Sequence, residues 1–192
     1  YLSATLREAG YPVSIIEGQG DGVLNIRQSK CGRYNLQGLT TEEILDQIEP
    51  ETHIVGVSLL FSYEWLIQRE LIKAIRARYP DIKIIVGGEH PTALPEYVLR
   101  DCPEIDFVVL GEGEFTLLEL VSGIFYSKEF LSIPGLAYLD DQGNFISNGL
   151  SKRIMHIDDI PRPAWDLCNV ENYFQPNWSM GISFGRNMPI NA

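Results

Sequence analysis

The residues of this chain best suited to chemistry stand in three short runs rich in glycine and small polar side chains. They are Ser58-Leu59-Leu60-Phe61-Ser62, Gly87-Gly88-Glu89-His90-Pro91-Thr92 and Gly111-Glu112-Gly113-Glu114. Glycine lets the backbone approach a ligand without side-chain collision, while serine, threonine and backbone N–H groups offer hydrogen bonds. Such runs suit the cradling of a flat or bulky ligand. Covalent catalysis needs a nucleophile beside a base, and the sequence shows no such pair. Glu112 and Glu114 invite a reading as an acid–base couple. Glu114 fits better as the first residue of a helix, where a carboxylate favours the dipole, and Glu112 as an acceptor for backbone or ligand amides. His53, His90 and His156 share no metal-binding spacing with cysteines or carboxylates, and only His90 falls in one of the runs. Cys31, Cys102 and Cys168 form neither CxxC nor CxxxCxxC, so neither a disulfide framework nor a local metal knot is signalled. No catalytic residue and no metal ligand is expected within this segment itself.

The elements that must position these runs alternate helix and strand, the pattern of a parallel sheet covered on both faces. Leu2 to Ala9 reads as a helix closed by Gly10, and Val13 to Glu17 as a short strand. Gly18 to Leu39 is a long, turn-rich connection. Thr40-Thr41-Glu42-Glu43 carries a capping box ahead of a helix through Ile44, Leu45 and Ile48 that Pro50 helps to end. His53 to Leu60 is nearly continuous in apolar residues, the pattern of a central strand buried on both faces. Helical spacing follows to Tyr79, then a strand from Ile82 to Val86, a short helix from Pro95 to Arg100, a strand from Asp106 to Leu110 and a helix from Glu114 to Ile124. Gly135 to Ile146 reads as a hairpin turning at Asp-Gln-Gly-Asn, and Asp158 to Ala192 as an irregular linker. The three runs thus fall where strands stop. Ligands of open parallel sheets bind outside those carboxyl ends.

The chain has 192 residues, 45% hydrophobic and 21% charged, enough for one good core. A net charge of -11 gives no attraction to phosphate backbones or anionic lipid, so nucleic acid is not an expected partner. No apolar run reaches the roughly 20 residues of a membrane helix. The start resembles no secretory signal, and a cytoplasmic location is the expectation. Neither a Walker-type phosphate loop nor Gly-x-Gly-x-x-Gly is present, since Gly18-x-Gly20-x-Gly22 departs from that spacing.

Ser58-x-Leu60 followed at the next strand end by Gly87-Gly88 resembles the second and third parts of the fingerprint of cobalamin-binding domains. Gly87 to Pro95, Asp106 to Glu114, Ile133 to Tyr138 and Ile157 to Leu167 resemble the more specific signature of cobalamin-dependent radical S-adenosylmethionine proteins. The resemblance covers essentially the whole chain. It implies a flavodoxin-like, Rossmann-like α/β fold: a doubly wound parallel sheet whose first strand is missing, with a hairpin and a linker after it. Residues 1–130 would form the cobalamin-binding domain, 131–157 its hairpin extension, and 158–192 a linker towards a radical S-adenosylmethionine domain of the same polypeptide.

The resemblance implies cobalamin as cofactor, held at Ser58, Leu60, Phe61, Ser62, Gly87, Gly88, Glu89, His90, Pro91, Thr92, Gly111, Glu112, Gly113 and Glu114. His90 and Phe61 would border the corrin. The [4Fe-4S] cluster and S-adenosylmethionine are implied only for a continuation beyond Ala192, because no cysteine here matches the cluster motif. The implied activity of the parent protein is methyl transfer from methylcobalamin, with ring formation or rearrangement as other outcomes in the family. The rival readings are a stand-alone corrinoid carrier or cobalamin sensor, a flavin- or nucleotide-binding flavodoxin-like domain, and a methylthiotransferase-type enzyme. The linker, the Ser/Gly spacing and the absent cluster cysteines argue against them in turn.

Overall fold

A computed structural model describes residues 1–29, 31–126 and 132–174. In chain order its elements are α1 (Leu2–Glu8), β1 (Ile26–Gln28), β2 (Asn35–Gln37), α2 (Thr41–Leu45), β3 (Ile54–Ser58), α3 (Trp65–Arg78) and β4 (Lys83–Gly87). There follow α4 (Glu89–Ala93), α5 (Pro95–Asp101), β5 (Phe107–Val109), α6 (Glu114–Tyr126), β6 (Leu136–Leu139) and β7 (Phe145–Ser147). The described residues form two compact units: those of Tyr1–Val13 with Leu45–Pro163, and those of Ser14–Ile44 with residues 164–174.

The larger unit is built on a five-stranded sheet in the order β3-β4-β5-β6-β7. β3, β4 and β5 run parallel, whereas β6 lies antiparallel to β5 and β7 antiparallel to β6. The sheet is therefore mixed, a correction to the expectation of a parallel sheet. The hairpin does not stand apart from the sheet but continues it, because the main-chain groups on the outer edge of β5 need partners and a hairpin supplies them within a short length of chain. The hairpin turn itself falls at Asp140 to Asn144, where the Asp140 carboxylate accepts the N–H groups of Gln142 and Asn144 at 2.9 and 2.8 Å.

Side chains alternate across each strand, so the two sheet faces bury different sets. On one face Ile85, Phe107, Val109 and Leu136 pack with Leu120 of α6 and with Ile133, and Ile54, Leu117 and Ile124 extend the cluster. On the other, Ile84, Val86 and Val108 are essentially inaccessible. α5 packs on β5 and β6 there, and Ile72 and Ile75 of α3 with Val98 and Leu99 of α5 are equally buried. At the amino ends of the strands, Asp106 accepts hydrogen bonds from Arg76, Lys83 and the Ile84 N–H at 2.7, 2.8 and 2.9 Å. This network ties α3 to β4 and the entry of β5, opposite the runs named above.

Three further expectations are corrected. β3 is not central: among the described residues it pairs only with β4, and its residues are half-buried or exposed. An apolar run reports what its faces tend to bury, not its place in the strand order. Val13 to Glu17 forms no strand, since an extended segment becomes one only when a neighbour completes its hydrogen bonds. A short helix, α4, stands directly after Gly88, where the sequence had suggested only loop before Pro95.

The smaller unit contains the antiparallel pair β1 and β2 inside what reads in the sequence as one long loop. Arg27 of β1 donates to the carbonyls of Gly38 and Leu39 at 2.6 and 2.8 Å. The capping box is present, with the Thr40 N–H donating to Glu43 at 2.7 Å and the Glu43 N–H to Thr40 Oγ1 at 3.2 Å. The helix it opens, α2, ends at Leu45, short of Ile48. From Ile157 the chain makes short turns of 3-10 helix, at Ile157–Asp159, Trp165–Leu167 and Val170–Phe174. The linker expectation for residues 175–192 lies outside the described residues. No helix among the described residues is long and apolar enough to cross a membrane.

Candidate functional site

The three glycine- and serine-rich runs meet at the carboxyl edge of the parallel strands, because β3, β4 and β5 all end there in register. Ser58 lies beside Gly87, and Gly87 beside Val109. The runs are also bonded to one another. The Leu59 N–H donates to the Gly87 carbonyl at 2.8 Å, and the His90 N–H to the Leu59 carbonyl at 3.2 Å. His90 Nδ1 lies 2.9 Å from Ser62 Oγ. The Gly111 N–H donates to Thr92 Oγ1 at 3.1 Å, and Glu112 accepts the Ile154 N–H at 2.5 Å. Glu112 therefore takes a backbone amide, and Glu114 is the first residue of α6, both as the sequence suggests.

Within this frame the side chains divide by exposure. Ser58, Leu60, Phe61, Ser62, Glu89, Gly111 and Glu112 are exposed, Gly87, Gly88, Thr92, Gly113 and Glu114 half-buried, and His90 and Pro91 buried. Leu60 and Phe61 are 51% and 49% exposed, and Phe61 stacks on the exposed ring of Tyr63 at 5.3 Å between centroids. Apolar side chains held outward at a strand end offer a flat surface to a flat ligand.

A second feature lies on the sheet face that α6 covers. Residues sharing that face near the carboxyl edge are Gly56 and Ser58 of β3 and Gly87 of β4, beside Val109 of β5. A Cβ at Gly56 would meet no atom within 4 Å, and one at Gly87 would meet only Val109 at ordinary contact distance. Gly56, Ser58 and Gly87 thus leave a strip free of large side chains at the carboxyl ends of β3 and β4, bordered by Ile85. Gly56 is absent from the residues singled out in the sequence; the available signal was a glycine interrupting a strand, which marks close approach of a ligand or another backbone.

Gly88 also serves the fold. Its φ of 109° and ψ of -174° belong to glycine alone, and a Cβ would stand 2.6 Å from the Leu59 carbonyl oxygen. This crossing places α4 directly on the β3 loop. His90 is carried inward, 4% exposed, its ring 5.3 Å from that of Trp65. Trp65 is anchored in turn: its Nε1–H and Arg69 both donate to Asp101 Oδ2 at 2.8 Å. Those two bonds hold the Asp101 carboxyl below the usual carboxylate range.

Burial pushes the His90 imidazole below the ordinary histidine range, since a charged ring there loses its hydration. The unfolded chain therefore takes up the proton first. Stability is full above the unfolded value of about 6.5 and declines as pH falls below it towards the folded value. Urea denaturation across roughly pH 5 to 7 is expected to show this slope, and His90→Gln to remove its His90 part. An unchanged slope in the variant would show that other groups carry it.

The thiols differ sharply. Cys102 is fully buried, its thiol pushed up to about 12 by burial and then by the Glu104 carboxylate. Cys31 is exposed, and its hydrogen bond from Ser29 lowers it. Among the described residues no group of three or more His, Cys, Asp or Glu side chains is arranged to hold a metal ion.

Comparison with known proteins places these observations. The family model described as the B12 binding domain matches residues 1–121. The methyltransferase PH0819 of Pyrococcus horikoshii, itself uncharacterized, is 29% identical over 195 residues, covering 100% of this chain and 38% of that protein. The anaerobic magnesium-protoporphyrin IX monomethyl ester cyclase of Rubrivivax gelatinosus is 30% identical over 196 residues, covering 96% and 32%. The chain thus spans less than two fifths of the length of these relatives. Among solved structures, the cobalamin-dependent S-adenosylmethionine radical enzyme OxsB with aqua-cobalamin and S-adenosylmethionine bound shares the fold at a TM-score of 0.54. Its sequence identity is 23%, over 66% of this chain and 17% of that one.

Proposed function

Because this chain belongs to the B12-binding domain family and is related to cobalamin-dependent radical S-adenosylmethionine enzymes, we propose that it holds cobalamin for a methyltransferase. The observation that carries the reading is the open strip at Gly56, Ser58 and Gly87 leading into a carboxyl edge rimmed by Leu60 and Phe61. A long, thin tail needs a groove without side chains, and a broad macrocycle needs an apolar ledge at its mouth. Those features fit cobalamin, whereas a flavin or nucleotide phosphate would call for a phosphate loop that the sequence lacks.

In this reading Ser58, Gly87 and Gly88 border the tail, while Leu60, Phe61, Ser62 and the Glu89 to Thr92 segment face the corrin. Gly111, Glu112, Gly113 and Glu114 close the third side, with Glu112 fastening the segment around Ile154. When bound, cobalamin supplies a methyl group carried on cobalt. Residues 1–130 form the binding domain, 131–157 its hairpin extension, and 158–192 lead towards a domain holding the iron–sulfur cluster and S-adenosylmethionine. Among the described residues β3 pairs along one edge only, with β4. Ring formation is the second reading, favoured by the 30% identity to the Rubrivivax gelatinosus cyclase.

Titration of the protein containing this chain with hydroxocobalamin, followed by visible absorbance, is expected to show saturable one-to-one uptake, and titration with flavin mononucleotide none. Uptake of the flavin in place of the corrinoid would overturn the assignment.

A further inference from the structure

His90 presents an arrangement that the cobalamin reading does not require. Its ring is buried, Nδ1 lies 2.9 Å from Ser62 Oγ, and Nε2 is buried with no hydrogen-bond partner among the described residues. Ser62 itself is exposed, between the outward rings of Phe61 and Tyr63. We propose that His90 is a positioning residue: it is held as the neutral Nδ1–H tautomer, donates to Ser62 Oγ, and so turns the serine hydroxyl hydrogen outward as a fixed donor. Resting on the cobalamin reading, the acceptor is a carbonyl oxygen of a side-chain amide on the corrin rim.

The tautomer follows from the two nitrogens. A neutral imidazole carries one hydrogen, and the nitrogen without it is an acceptor. A hydrogen on Nε2 would be a buried donor with no acceptor, the kind of orphan group folded proteins avoid most strictly. A bare lone pair there is the lesser loss. With the hydrogen on Nδ1, Ser62 Oγ becomes the acceptor and its own O–H is free to rotate to the outer side. Burial also disfavours a second proton on the ring. The pair is held rigid because the His90 N–H is bonded to the Leu59 carbonyl and Trp65 packs against the ring. A serine in open solvent points its hydrogen anywhere; here one of its sites is already filled, and the donor is preorganised for the ligand.

The test has two arms. Two-dimensional ¹H–¹⁵N spectroscopy of the side-chain nitrogens, with no ligand present, is expected to show hydrogen on Nδ1. Hydrogen on Nε2 overturns the inference and leaves the cobalamin reading untouched. In the second arm, hydroxocobalamin affinity is compared among variants whose thermal unfolding is measured alongside. Ser62→Ala is expected to weaken binding about five-fold, the worth of one neutral hydrogen bond. His90→Leu should weaken it comparably, and the double variant no further than either single one. His90→Asn, which keeps an N–H donor near Nδ1, should recover most of the affinity. Additive losses, or full affinity in Ser62→Ala, overturn the donor role, and a wild-type protein that takes up no hydroxocobalamin overturns both it and the reading beneath it.

Discussion

Replacing Gly88 by alanine is expected to lower the stability of the larger unit by about 3 kcal/mol, the combined effect of a glycine-only backbone conformation and a collision with main chain. The new methyl group would stand 2.6 Å from the Leu59 carbonyl oxygen and 3.0 Å from its carbonyl carbon, both backbone atoms. Neither can swing aside as a flexible side chain would. Relief requires α4 and the β3 loop to separate, which stretches the bond from the His90 N–H to the Leu59 carbonyl. Gly87→Ala, one residue earlier, is the internal control. Its Cβ would meet the Val109 carbonyl oxygen at 3.5 Å, an ordinary contact, so its stability should change little. Urea denaturation of the two variants measures the difference. A loss below about 1 kcal/mol for Gly88→Ala would mean that the crossing relaxes more easily than its close contacts imply.

Gly56→Phe should do the opposite: retain the fold and abolish uptake of the cofactor. Nothing lies within 4 Å of a Cβ at Gly56, and aromatic residues suit strands better than glycine does. The ring would lie along the strip between Gly56, Ser58 and α6, in the space assigned to the cofactor's tail. Hydroxocobalamin affinity is expected to fall by about 100-fold or more, close to 3 kcal/mol, with no drop in unfolding temperature. Gly56 is a sharper probe than Gly88 because the two functions are separated there. A variant that folds and binds as before would remove the groove from this face of the sheet.

The connectivity of the site was legible in the sequence because strand ends announce themselves. The apolar runs give way to small, polar or turn-forming residues at Ser62, at Gly87 and at Gly111, which set the three loops at one edge of a parallel sheet. The α6 start at Glu114 and the Thr40 capping box were readable for the same reason, since both are encoded within four residues of chain. What lay beyond local pattern was lost. The edge position of β3, the antiparallel β6 and β7, and the β1–β2 pair are all decided by which segment supplies hydrogen-bond partners, which no single segment encodes.

The same division runs through the chemistry. Residue types and spacing alone pointed to an α/β domain that holds a ligand, and they placed Ser58, Gly87 and Gly88 where its strands end. They could not distinguish the roles of the two adjacent glycines. Only the tertiary structure separated Gly88, pressed against the Leu59 backbone, from Gly87, which lies in the open strip with Gly56. It alone turned His90 inward onto Ser62 and left Phe61 outward. The physical reason is that exposure, close approach and the pairing of a buried polar atom belong to neighbours distant in sequence, and a motif records only the residues it contains.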